Sequence, residues 1–272
     1  MDDGSTRRVS AAERREDVRR DEARWSAFAD GLGNSLAAAP PSGMGLSLAS
    51  RSALRDGRPD RGDAVRARPF GDAVKTVFDR TAALAGLILL LPMFLMVAAL
   101  VWLSDPGPVL YGHVRIGKGG RSFRCLKFRS MVLDGDKVLS AHLAANPEAA
   151  LEWEAVRKLK SDPRVTPLGR VLRKTSLDEL PQLINVLKGE MSLVGPRPIV
   201  ADEARHYGAA IRDYMAVRPG LTGLWQIGGR SDTSYAERVR LDQTYVQRRN
   251  LGLDLWVLMR TVVVVLKGRG SY

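Results

Sequence analysis

Twenty-three consecutive residues without a charge, TAALAGLILLLPMFLMVAALVWL from Thr81 to Leu103, constrain everything else in this 272-residue chain. A helix of that length is long enough to cross the hydrocarbon of a bilayer, about 30 Å thick. A buried helix of a soluble domain is the alternative, but an unbroken run of this kind is uncommon there. The expectation is a membrane-bound protein.

The flanks of the run bear on how it sits. Arg66, Arg68, Lys75 and Arg80 precede it, and a second basic stretch from Arg115 to Arg129 follows it. Short basic flanks favour the cytoplasmic side, so a single crossing would export one of them. Pro92 falls in the middle, where it removes a backbone donor and clashes with the preceding turn. Together these favour a helix that enters one leaflet, breaks near Leu91-Pro92 and returns to the same face, with a kinked span as the alternative.

Composition divides the remainder. The net charge is +12, yet residues 1 to 70 hold 13 Lys/Arg against 11 Asp/Glu, so nearly all of the excess lies downstream. A basic surface of that size points to phosphates as partners, on lipid, on nucleic acid or on a phosphorylated substrate. The chain lacks a helix-turn-helix or aromatic stacking pattern, which argues against nucleic acid. A single cysteine, Cys125, excludes an internal disulfide and a cysteine-based zinc cluster, and its apolar surroundings place it in the core. From Met1 to about Arg68 the chain is too poor in apolar residues to offset its ordering entropy, so residues 1–68 read as a disordered tail, with a short amphipathic helix allowed at Ala11–Ala29.

Residues 69–104 are then the membrane element and 105–272 a compact domain, α+β and mainly helical. PVLYGHVRIGKGGRSFRCLKFRSM reads as a β-hairpin turning at Gly117 to Gly120, whose G-x-G has no βαβ context for a dinucleotide loop. A charged helical region spans Asp136 to Lys160 with a break at Asn146-Pro147, and a further helix runs from near Ser176 to Lys188-Gly189. Gly- and Pro-rich loops dominate Gly195 to Gly229. The closing LGLDLWVLMRTVVVVLKGRG is too short to span and reads either as an interfacial helix or as part of the core.

The chemistry concentrates in TSLDELPQL, Thr175 to Leu183. Ser176 and Glu179 have capping-box spacing, and Asp178 beside a helix start suits the macrodipole, so both acids have a structural reading. Their neighbourhood adds another: Arg170, Arg173 and Lys174 lie just upstream and GPRP, Gly195 to Pro198, downstream. Cations and a helix N-terminus converging on one place suit a phosphoryl group. They would also lower the proton affinity of Asp178, leaving an ionised carboxylate able to attack phosphorus. Phosphates repel that carboxylate, so a divalent cation, Mg2+ held by one acid and by substrate oxygens, is expected. Pro181 belongs in an opening turn and places both acids at the helix start. Trp225 is read either as a platform for a base or as a loop-shaping residue. His113, His142 and His206 show no metal-site spacing.

KFRSM (Lys127 to Met131), TSLDELPQLINVLKGEMSLVGPRP (Thr175 to Pro198), RPGLTGLWQIGGR (Arg218 to Arg230) and the DQTYVQRRNLGLDLWVL block from Asp242, in that order after the apolar run, resemble the bacterial sugar transferase family. These are the monotopic polyprenyl-phosphate hexose-1-phosphate transferases, and the resemblance covers about residues 70 to 272. It implies a re-entrant membrane helix and a catalytic domain on the cytoplasmic face of the bacterial inner membrane. It implies that Asp178 attacks the β-phosphorus of a UDP-sugar, releasing UMP, and that polyprenyl phosphate then accepts the sugar phosphate. Glu179 matches the magnesium-binding glutamate. Arg173, Arg197, Lys127 and Arg129 match phosphate-binding positions, and a cis bond at Pro196 or Pro198 is a further expectation. The implied partners are a UDP-hexose (glucose or galactose), polyprenyl phosphate and membrane lipid, with a homo-oligomer left open. His113 departs from the glutamine common at that position, and the polar tail lies outside the family core.

Overall fold

The computed structural model describes residues 69–156, 159, 161–228 and 234–266. The tail of residues 1–68, with its expected helix, lies outside them. The apolar run forms the greater part of two helices, α1 (Pro69–Leu89) and α2 (Leu91–Ser104), bent by 65°. The break falls at Leu90, one residue earlier than the proline alone suggests, and Pro92 occupies the first turn of α2. Leu90 N–H still reaches the Gly86 carbonyl and Phe94 N–H resumes the ladder at the Leu90 carbonyl, so the bend forfeits few bonds. No single helix among the described residues is long and apolar enough to cross a membrane; only this bent pair passes that test together.

Both arms of the pair are tied to the domain. In α1, Ala83 packs with Leu183 and Val186 in the main core. In α2, Val97 and Val101 meet Phe128 and Leu172 in a second cluster, where the Phe94 and Phe128 rings lie 4.7 Å apart. Full burial of a valine, leucine or phenylalanine such as Val97, Val101, Leu172 or Phe128 stabilises by about 1.5–3 kcal/mol relative to exposure. Below the apolar stretch, Asp79 is 1% exposed and accepts from the Ser192 hydroxyl (2.7 Å) and the Leu193 amide (3.4 Å). Lys75 reaches Asp254 at 2.7 Å, and Tyr245 donates to Asp254 and to the Val194 carbonyl, both at 2.8 Å. The outer faces of the pair, among them Ile88, Leu89, Leu95 and Leu103, remain exposed.

The expected hairpin is present: β1 (Leu110–Ile116) pairs antiparallel with β2 (Ser122–Phe128), placing His113 opposite Cys125. Its turn includes Gly119 and Gly120 at φ 69° and 76°, backbone that glycine adopts without strain. Cys125 is buried as expected, and burial pushes its thiol up to about 11. The charged region forms α3 (Gly135–Ala145) and α4 (Pro147–Val156), broken at Asn146.

The helix expected from Ser176 to Lys188 follows α5 (Pro167–Thr175) and is instead two pieces, a 3-10 turn at Leu177–Glu179 and α6 (Gln182–Lys188), closed by Gly189 at φ 78°. Residues 195–229 are less loop-like than their Gly and Pro content suggests. They hold α7 (Ala201–Ala204), a 3-10 segment (Arg205–Ala210), α8 (Ile211–Ala216) and α9 (Leu224–Gly228). A two-rung parallel pair, β3 (Ser192–Val194) with β4 (Gly220–Thr222), closes this region. No peptide bond among the described residues is cis, so Pro196 and Pro198 are both trans. After α10 (Tyr235–Arg248) comes α11 (Leu251–Leu266), one face of which packs into the core. Asp254 and Val257 are buried on one face, while Leu255, Trp256, Met259 and Val262 are exposed on the other.

Candidate active site

Thr166 starts α5 by accepting from the Gly169 amide at 2.9 Å, with Pro167 behind it. Arg173 and Lys174 fall in its last turn, where cations favour the negative end of the helix dipole. The chain then turns sharply at Ser176, at φ 59° and ψ 15° the one non-glycine residue with positive φ among those described. That left-handed backbone costs about 1–2 kcal/mol. Ser176 makes no side-chain cap bond, so the capping box suggested by its spacing does not form. The turn is held instead by Leu177 and Leu180, which join Phe128, Leu172 and α2 in the second apolar cluster. Pro181 immediately precedes α6, as an opening-turn proline should.

This turn buries Asp178 to 6% exposure and leaves Glu179 partly open. Strand alternation puts Phe123, Cys125 and Lys127 on one face of β2, two in the core and the third reaching the acids. The Lys127 ammonium lies 2.7 Å from Glu179 Oε1 and 3.4 Å from Asp178 Oδ2, so a single cation bridges both carboxylates.

The charges do not leave Asp178 as the sequence suggests. Burial raises its pKa above the usual carboxylate value, and Glu179 adds to the rise. Lys127 and then Arg173 oppose it without reversing it. Desolvation outweighs the cations because the side chain is almost wholly removed from water. At Lys127 the balance runs the other way: burial lowers its pKa, but Glu179 and Asp178 outweigh that and leave it raised. The lysine therefore carries its proton at neutral pH.

Arg173 also belongs to this centre. Its Nε donates to Ser130 Oγ at 2.9 Å, and its charge acts on Asp178. Arg197 acts on Lys127 from the Gly195–Pro198 loop, which is fastened by Gly195 N–H to Thr222 and Gly220 N–H to Pro196. Its guanidinium covers the Trp225 ring at 5.1 Å. Arg238 covers the same indole at 4.8 Å and the Tyr235 ring at 5.0 Å. Buried Asp242 accepts from Tyr207 Oη at 2.7 Å and from the Arg197 backbone. Burial pushes its carboxyl up to about 6, with those donors and Arg238 opposing. Arg129 is placed differently: it donates to the Asp105 carbonyl and lies 3.7 Å from the Asp105 carboxylate, bracing the Asp105–Gly107 bend. Ser130, Trp225, Arg238 and Asp242 as supports of the phosphate-binding positions had no signal in local spacing. Arg197 reaches Trp225 across 28 residues and Asp242 across 45, and Arg173 reaches Ser130 across 43, whereas Arg238 lies 13 residues from the indole it covers.

Among the described residues no group of three or more His, Cys, Asp or Glu side chains could hold a metal ion by itself. Glu179, the more open of the two acids, is the hard oxygen donor that would hold a magnesium ion together with phosphate and water oxygens.

Similarity to known proteins gives this geometry its class, the phosphoglycosyl transferases. The chain belongs to the bacterial sugar transferase family, whose model matches residues 70–268. It is 55% identical over 205 residues to the exopolysaccharide production protein ExoY of Rhizobium meliloti, covering 75% of this chain and 91% of that protein. It is 49% identical over 202 residues to the undecaprenyl-phosphate galactose phosphotransferase of Salmonella typhimurium, covering 73% of this chain and 42% of that one. A UDP-glucose:undecaprenyl-phosphate glucose-1-phosphate transferase of Caulobacter vibrioides is 40% identical over 211 residues, covering 74% and 73% respectively.

Proposed function

We propose that the chain transfers a hexose 1-phosphate from a UDP-sugar to polyprenyl phosphate, with Asp178 as a covalent nucleophile, and so begins exopolysaccharide repeat-unit synthesis. The observation that carries this reading is the buried Asp178 joined to Glu179 by the single ammonium of Lys127. An Asp178 oxygen attacks the β-phosphorus, the bond to the UMP oxygen breaks, and UMP leaves with that electron pair. An oxygen of polyprenyl phosphate then attacks the same phosphorus, and the Asp178 carboxylate departs unchanged. Lys127 limits the repulsion between the carboxylate and its phosphate target, while Arg173 and Arg197 hold the phosphate oxygens. Magnesium held by Glu179 would supply charge neutralisation at the diphosphate. The sugar is glucose or galactose, as in the names of the Salmonella and Caulobacter relatives.

The same reading places the bent helix pair in one leaflet of the bacterial inner membrane, with both ends and the catalytic domain at the cytoplasmic face. Its support is the exposed apolar surface of α1 and α2 together with the outward apolar face of α11. The test is UMP release from UDP-glucose or UDP-galactose by the membrane-bound chain, with and without magnesium and polyprenyl phosphate. Asp178→Asn should release none, and the wild type given donor alone should gain the mass of a hexose phosphate. Normal turnover by the variant would overturn the assignment.

A further inference from the structure

Away from Asp178, Glu179, Lys127, Arg173 and Arg197, a cavity of about 710 Å³ opens between the start of α1, the hairpin turn and the C-terminal end of α6. Phe123 lines it at one end of β2, while Lys127 serves the catalytic turn four residues on, about 13 Å away at the rise of a strand. Its inner wall carries Lys75, Arg218 and Arg249, and these cations have carboxylate partners. Lys75 meets Asp254 and Asp79, Arg218 lies 3.7 Å from Asp79, and Arg249 lies 3.7 Å from Asp72. The rim is different. Lys118 and Arg121 of the hairpin turn and Lys188 of α6 are exposed, and none forms an ion pair among the described residues. Against six cations the lining offers two acids, Asp72 and Glu190, and Glu190 already accepts from Asn185 at 2.6 Å.

The rim cations converge on a concave surface from two separate elements, the hairpin turn and α6, and repel one another until an anion enters; the concavity focuses their field on that anion. The volume lies in the range of small-ligand sites. We propose that this cavity is a second anion site, distinct from the catalytic one, that takes a phosphate-bearing group. Its position indicates the source. Lys75 precedes the apolar run at Thr81 by six residues, about 9 Å of helix. With α1 inserted as proposed above, that depth is close to the lipid headgroup layer, so an anionic phospholipid is the expected donor of the phosphate. The choice of lipid rests on that membrane reading, whereas the anion site itself does not.

The experiment compares three forms of the full chain. These are the wild type, the rim variant Lys118→Glu/Arg121→Glu/Lys188→Glu, and a control of equal charge change on exposed residues elsewhere, Arg205→Glu/Arg212→Glu/Arg248→Glu. One arm measures binding to phosphatidylglycerol vesicles relative to phosphatidylcholine vesicles. The other titrates pyrophosphate into detergent-solubilised protein carrying Arg173→Ala and Arg197→Ala, which removes the proposed substrate contacts. The rim variant should lose roughly tenfold or more of the phosphatidylglycerol preference while keeping its phosphatidylcholine binding, and the control should lose much less. Pyrophosphate binding that only the rim variant abolishes, without a lipid preference, would also support the site and make soluble phosphate its source. Indistinguishable rim and control variants in both arms would overturn it. A wild type that binds neither vesicle would refute the membrane reading and leave the pyrophosphate arm to decide the cavity.

Discussion

The guanidinium carbon of Arg197 lies over the indole of Trp225, 5.1 Å from its centroid, and that of Arg238 lies 4.8 Å from the same centroid. A long side chain on a Pro-flanked loop would otherwise sample several rotamers. The cation–π contact favours one of them, which in the proposed reaction would present the guanidinium donors to the substrate phosphate.

The first prediction follows from that clamp. Trp225→Ala should lower kcat/KM for the UDP-sugar by roughly 10–100-fold through mispositioning of Arg197, while Trp225→Phe retains most of it. Steady-state kinetics on both variants, with Tm as a folding control, makes the check. Equal loss in the two variants would show that the ring face is not what matters.

Lys127 is the strongest influence opposing the raised pKa of Asp178. Removing it should raise that pKa further, so the acid limb of the pH–rate profile should move to higher pH in Lys127→Ala. An unmoved limb, at whatever residual rate, would mean that Asp178 ionisation does not set it.

Asp178 should also show a trade between stability and activity. Its folded pKa is raised, so its stabilising contribution is complete below the unfolded value near 3.8 and is lost as pH rises through the folded value. Ionising the buried carboxylate as pH rises therefore costs stability. Asp178→Asn should abolish turnover and raise Tm by about 2–4 °C for each kcal/mol relieved. A lower Tm at pH 7.5 would contradict this balance.

Ser176 supplies a backbone test. Ser176→Gly should gain up to about 1 kcal/mol by relieving the left-handed conformation, and Ser176→Val should lose roughly 1–2 kcal/mol. Denaturant midpoints measured in a common detergent decide it. Should valine prove neutral, the turn is not strained at that residue.

The sequence carried the punctuation of this fold well. Gly117–Gly120, Asn146-Pro147, Pro92 and Gly189 each mark a turn, break or helix end within a residue or two, because each restricts φ or removes a donor locally. Ser176 shows the limit of that approach. Its S-x-x-E spacing predicts a cap, but packing of Leu177 and Leu180 against Phe128 and Leu172 fixes a different turn, and that preference is written 50 residues upstream as much as locally. The three-residue strands β3 and β4 were illegible for the same reason: strands this short show no alternation, and their partner lies 28 residues away. Asp178, Glu179, Lys127, Arg173 and Arg197 could be named from motif, yet the direction of the Asp178 shift could not, since it depends on how completely the turn is buried.

Asp79 bonds to Ser192 and Leu193 at the start of β3, and Val194, where that strand ends, is followed directly by the Gly195–Pro198 loop. With α1 inserted in a leaflet as proposed above, its immersion and the height of the Arg197 guanidinium would be geared to one another. A lipid tail cannot carry its terminal phosphate to an arbitrary level, so a catalyst whose grip stands at a fixed altitude over the leaflet accepts only headgroups that rise to meet it. Thickening the bilayer should then act on this protein as a change of substrate reach, with no residue altered.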